Sequence, residues 1–174
     1  MQKVSILIVL TIGVLIGLSS FGYWNSTQAS DLAYQYIQNA NFDLYAHRAI
    51  VAPDVQLSID EQIGRVDEHF NDGQKLEALA LYQDILKQDP GNTEILLRMG
   101  VIHLQQEQPS EAQDYLLQAA ENKISVFYLD AQWYLALIAI QNEASAKAKQ
   151  LLQPIVDQRG NHYKDAELLL TKLH

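Results

Sequence analysis

Ala78 and Ala112 stand 34 residues apart, each preceded by a glutamate at the start of a helical pattern. Tyr82 and Leu116 share that offset, as do Ile85 and Ala119. Ala148 follows Ala112 at 36 residues, so the third unit has gained two, placed in "ENKISV" (121–126). Each unit reads as two helices. In the first, Ser58-x-x-Glu61 is a capping box before Ile59, Ile63, Val66 and Phe70, "NDG" turns the chain at 71–73, and Ala78, Leu79, Tyr82, Ile85 and Leu86 form one helical stripe. The second pairs Leu96–Leu104 with a helix opening at Pro109, where the missing N–H is harmless. The third runs from Trp133 to Ile155, and Ala166, Leu169, Leu170 and Leu173 make a last amphipathic helix. A single helix pair cannot bury its apolar faces alone. A fixed period therefore predicts stacked pairs with a continuous core and a solvated cap.

These residues resemble the tetratricopeptide repeat (TPR) family. The small residue of the first helix corresponds to Gly100 and Ala136, the alanine of the second helix to Ala78, Ala112 and Ala148, and the large residue four later to Tyr82, Leu116 and Leu152. Departures are Val66 in place of the first small residue, Ile124 in place of a terminal proline, and Pro154 inside the last second helix, where a kink is expected. The resemblance covers roughly Ser58 to Ile155. It implies an all-α, antiparallel helix-pair solenoid of about three units plus a C-terminal capping helix. Trp133–Ile140, eight consecutive apolar residues, covers only ~12 Å of helix and reads as the inner helix of the last unit, not a bilayer span.

Ahead of the repeats, residues 4–24 are apolar and uncharged between Lys3 and Asp31, long enough for the ~30 Å hydrocarbon core. The solenoid is thus expected to follow a single transmembrane helix, with the N-terminus cytoplasmic and the body on the outer side. The alternative is secretion after cleavage near Ala29, in "TQAS". Gly13 and Gly17 form a GxxxG through which a membrane helix could homodimerise. The division expected is 1–29 for the anchor or signal, 30–57 for a short helix and arm, and 58–174 for the solenoid. Ser30 is placed as N-cap of the short helix, with Leu32, Ala33, Tyr36, Ile37 and Ala40 at helical spacing. Phe42, Leu44, Tyr45, Ile50 and Val51 of the arm are expected to dock on the body.

Little in the chain can carry chemistry. A net charge of −9 with 12 Lys and Arg in all argues against a nucleic-acid partner. Without cysteine there is no thiolate catalysis, disulfide or covalent haem. Of the five histidines, His69 and His103 are themselves 34 apart, where the family has an aromatic, and read as packing residues; a metal or proton-transfer role is the other reading. No catalytic residue, cofactor site or metal site is assigned, and the chain is read as no enzyme.

The resemblance instead implies a protein-binding groove lined by the first helices: Ile63, Asp67 and Phe70 from the first unit, Leu97, Val101, Leu104 and Gln105 from the second, and Trp133, Leu137 and Ile140 from the third. Apolar with some acid, it suits an apolar peptide or helix carrying positive charge. The basic clamp with which some members hold a C-terminal carboxylate is absent. The arm at 39–57 could instead cover the groove. Two roles follow: a membrane-tethered module that recruits or helps assemble envelope protein partners, similar to bacterial envelope TPR proteins, or an accessory subunit of a larger membrane protein complex.

Overall fold

The computed structural model describes residues 27–42 and 58–173, all helical or connecting, with no strand among them. Helix α1 covers 27–38. Then come α2 (Ile59–Asn71), α3 (Lys75–Gln88), α4 (Thr93–Gln105), α5 (Pro109–Ala119), α6 (Tyr128–Gln141), α7 (Ser145–Asp157) and α8 (Tyr163–Lys172). Three antiparallel pairs, α2–α3, α4–α5 and α6–α7, stack in order and α8 packs on α7.

Local signals place these helices. The Ser58 hydroxyl accepts from the Glu61 N–H at 3.3 Å, and the Glu61 carboxylate accepts from the Ser58 N–H at 2.8 Å, which starts α2. Asn92 caps α4 by accepting from the Ile95 N–H at 3.1 Å. Pro109 opens α5 as expected, and α7 runs through Pro154 to Asp157. The turn after each first helix has one geometry. Gly73, Glu107 and Glu143 take φ of 83°, 59° and 58°. The next residue's N–H donates back to a carbonyl five residues earlier: Gln74 to His69 and Gln108 to His103, both 2.9 Å, and Ala144 to Ala139, 2.8 Å. This is the left-handed closure common at helix C-termini. Arg159, with φ 51°, ends α7 the same way.

Small residues let the pairs close. Ala78, Ala112 and Ala148 are fully buried, and so are Tyr82, Leu116 and Leu152 four positions on. A Cβ placed on Gly100 would lie 2.6 Å from Leu116 Cγ and 3.3 Å from the Ala112 carbonyl oxygen, so α4 meets α5 here without room for a side chain. Helix α6 is buried all round from Trp133 to Ile140, because neighbouring units, its own partner helix and α1 all pack on it.

Two expectations change. Ser30 is not an N-cap, since the chain is already helical at residue 27; Ala29, the expected cleavage position, is fully buried inside α1. The single-pass localisation is corrected as well: among the described residues no helix is long and apolar enough to cross a membrane. The stretch at 4–24, with Gly13 and Gly17, lies outside the described residues, as do Leu44, Tyr45, Ile50 and Val51 of the arm.

Candidate protein-binding groove

The first helices of the three pairs, α2, α4 and α6, carry all ten residues expected to line a groove. Every one is buried, from 0% exposed at Ile63, Asp67 and Leu137 to 9% at Gln105. The cover is the chain's own N-terminal segment. Ala29, Ala33 and Ile37, at i, i+4 and i+8 of α1, are sealed into the same core cluster as Leu97, Val101, Leu104, Trp133, Leu137 and Ile140.

Polar contacts fix how α1 lies. At its N-terminal end, Lys172 Nζ of α8 donates to Gln28 Oε1 at 2.9 Å. In its last turn, the Tyr36 ring meets the Trp133 indole edge-on at 5.2 Å, and the Tyr36 hydroxyl donates to Asp165 of α8 at 2.9 Å. At its C-terminal end, Gln105 Nε2 of α4 donates to the Ile37 carbonyl at 3.0 Å and to the Ala40 carbonyl at 2.8 Å. A helix leaves its last carbonyls without partners, and here the body supplies the missing donor. Beyond α1, Phe42 stacks on Phe70 with centroids 4.2 Å apart, and its backbone exchanges hydrogen bonds with Asn71 at 3.1 and 3.3 Å. So 27–42 runs from α8 across α6 and α4 to α2. Only Phe42 of the expected docking arm lies within the described residues, and it docks; most of the cover comes from α1.

The acid expected in the groove is not available to a partner. Asp67 is gripped by Arg98, whose Nε and Nη2 donate to its two oxygens at 2.6 and 2.8 Å. The Tyr82 hydroxyl donates to the same carboxylate. Glu94 lies 2.6 Å from Arg98 Nη1, and the Phe42 ring covers the guanidinium at 5.0 Å. Burial alone would lower the Arg98 pKa, but the Asp67 hydrogen bonds and charge, with Glu94, carry it higher, so the guanidinium stays charged. Burial, with the Asp67 charge, drives the Tyr82 phenol upward and keeps it a donor. The group is closed and satisfied, and its chemistry is that of a clasp between α2, α3 and α4.

A second polar cluster sits at the other end. His162 stacks on Trp133 at 4.7 Å and lies 3.8 Å from Asp130, which also accepts from Asn161 at 3.1 and 3.2 Å. Burial lowers the His162 pKa more than the Asp130 and Asp165 charges raise it. Burial raises Asp130 against the opposing pull of His162 and Asn161. Both groups are thus biased toward their neutral forms. His69 and His103 act as clips: each Nδ1 shares a hydrogen with a glutamine five residues on, Gln74 and Gln108, at 2.7 Å in the second case. His103 also stacks on Tyr115 at 5.4 Å. Among the described residues no group of three or more His, Cys, Asp or Glu is placed to hold a metal ion.

Residues 71–123 match the tetratricopeptide repeat family. The matched stretch takes in the second helix of the first pair, both helices of the next, and part of the loop before α6. Proteins of the tetratricopeptide family are generally interaction scaffolds without catalytic activity. No curated protein and no solved structure matches the chain.

Arg98 and Gln105 matter most among the residues whose roles sequence reasoning missed. A lone cation inside "ILLRMGVI" was a readable signal, since a charge in an apolar run needs a buried partner. Nothing comparable marked Gln105, whose role depends on where α1 ends.

Proposed function

We propose that this protein is a protein–protein interaction module that recruits partner proteins or helps assemble them, using the face lined by Ile63, Phe70, Leu97, Val101, Leu104, Gln105, Trp133, Leu137 and Ile140. Supporting this is the match to an interaction-scaffold family, together with one observation of geometry: that face already holds an amphipathic helix, with small side chains sealed beneath it and a glutamine on its terminal carbonyls. A surface that seats one helix in this way has the apolar stripe and the polar end-marks of helix-in-groove recognition.

A second reading, an accessory subunit held permanently in a larger protein complex, draws on the α5–α6 loop. There Ile124 is 95% exposed and Val126 82%, in the segment where the third unit gained its two residues. Apolar side chains so far from the core suit a constant neighbour. Cross-linking with mass spectrometry on the full chain in its own cells separates the two. Several substoichiometric partners linked near α1 support the recruiting module. One fixed stoichiometric set, linked through Ile124 and Val126, supports the subunit, and no linked protein at all would sink both.

A further inference from the structure

Helix α1 fits its seat closely, and small side chains make much of the fit. Two of the three side chains it buries completely are alanines, Ala29 and Ala33, and an alanine removes little apolar area from water. Ile37, the half-buried Leu32, Ala40 and Phe42, the edge-on Tyr36–Trp133 contact, and hydrogen bonds from Lys172, Gln105 and Tyr36 add to these. The seat is also imperfect. Gln105 is 9% exposed and donates twice through Nε2, yet its buried Oε1 has no hydrogen-bond partner among the described residues. An acceptor left unpaired beneath a docked helix detracts from the binding of that helix.

The chain between α1 and the solenoid is long enough for α1 to leave. Phe42 sits at the C-terminal end of α2, against Asn71, while Ser58 opens the other end of the same helix. The 13 residues of α2 span ~20 Å, and the intervening 15 residues, 43–57, can extend to ~50 Å. A ligand covalently joined to its receptor meets the site at an effective concentration on the order of millimolar, which keeps a site filled with few strong contacts.

From this we infer that α1 is a displaceable internal ligand: it masks a helix-binding face, and the partner is a protein helix of the same build. Resting on the interaction-module reading above, the inference adds the occupant and its pattern. That pattern is small residues at i and i+4, an aromatic at i+7, an aliphatic at i+8, a C-terminal end whose carbonyls meet Gln105, and an aromatic at i+13 for the Phe70–Arg98 platform. A partner that also offers a donor to Gln105 Oε1 outcompetes α1 on the contact α1 lacks.

The test uses the full chain with a specific protease site inserted at Ala52–Pro53, read with a fluorescent peptide of residues 27–42. Before cutting, the peptide should bind at least about 100-fold more weakly than after cutting and dilution, because the tether is gone. The cut chain should keep its helical circular dichroism as its own segment leaves, and a peptide carrying Ala33→Glu should not bind. As a second arm, Ala33→Glu in the uncut chain should expose the site, so that the wild-type peptide binds without cutting. The proposal is overturned if the cut segment stays bound through gel filtration at nanomolar concentration, or if the body unfolds once it leaves. Equal peptide binding before and after cutting also overturns it. So does dimerisation of the uncut chain by exchange of α1, which would assign the face to a second copy. Failure here would leave the recruiting role standing or falling on the cross-linking alone.

Discussion

Arg98 holds Asp67 by two hydrogen bonds, 2.6 and 2.8 Å long, across 31 residues of sequence and out of reach of solvent. The pair ties α2 of the first unit to α4 of the second, and the Tyr82 hydroxyl locks α3 to the same carboxylate. Desolvating two charges costs about what their attraction returns, so the pair itself adds little net stability; removing one partner alone strands the other. Asp67→Ala should destabilise the body by about 3–5 kcal/mol, and Asp67→Leu with Arg98→Leu by much less. Urea denaturation of both variants tests this. Equal losses would mean that Arg98 finds another partner.

Gly100 predicts a steric coupling. Gly100→Val should cost about 1–3 kcal/mol, since the added atoms enter the space of Leu116. Leu116→Ala clears that space, so the double variant should be more stable than the two losses added together. Strict additivity in thermal or urea melts would contradict the contact.

The repeated turn offers a stabilising change. Glu107 and Glu143 occupy left-handed backbone that Gly73 takes without a Cβ. An L side chain costs about 1–2 kcal/mol there. After allowing for the freer unfolded chain of glycine, Glu107→Gly and Glu143→Gly should each gain about 1 kcal/mol and raise Tm by a few degrees. A fall in Tm for both would refute the strain.

Helix α1 should loosen in alkali. Burial, with the Asp165 hydrogen bond and charge, pushes the Tyr36 phenol up to about 12. The folded pKa thus exceeds the unfolded value of ~10, so the protonated phenol's contribution is intact below pH ~10 and fades as pH rises through about 12. The stability difference between wild type and Tyr36→Phe should be constant below pH ~10 and shrink above it. A constant difference up to pH 12 would show that the Asp165 contact does not depend on the proton.

His162 predicts the opposite slope in acid. Its pKa is lowered on folding, so the unfolded chain binds the proton more readily below pH ~6.5, and stability falls as pH drops from there toward the onset of carboxylate protonation. Asp130, raised by burial, works against this where it takes up its own proton. His162→Phe keeps a ring on Trp133 and should flatten the slope between pH ~6.5 and ~5. Trp133 emission on the Trp24→Phe background reports the same site, and an unchanged slope would remove His162 as the cause.

The repeat was legible because its signals are local or periodic. The offsets of 34 and then 36 residues named Ala78, Ala112 and Ala148, and all three are buried where two helices touch. The capping box at Ser58 and the run from Trp133 to Ile140 read correctly for the same reason: a few neighbouring residues suffice to state them. What covers the side chains expected in the groove was not legible. Leu137 and Trp133 are buried, yet what covers them comes from residues over 90 positions away, and contacts such as Gln105 to Ile37 leave no periodic trace. Asp67 was read as open acid because its partner sits one unit on, in the following first helix. The localisation rested on the hydropathy and flanking charges of 4–24 and is not supported by any helix among the described residues.

The anchors of α1 also set an order of events during synthesis. Its partners Asp165 and Lys172 lie 129 and 144 positions beyond Tyr36 and Gln28. The helix therefore leaves the ribosome long before anything exists to receive it, and contacts at such separation form late. Until α8 is made, segment 27–42 has only its partners on α2, α4 and α6 to hold it. In that interval the segment lacks two of its anchors, and a partner or chaperone meeting the nascent chain would find the face easiest to enter.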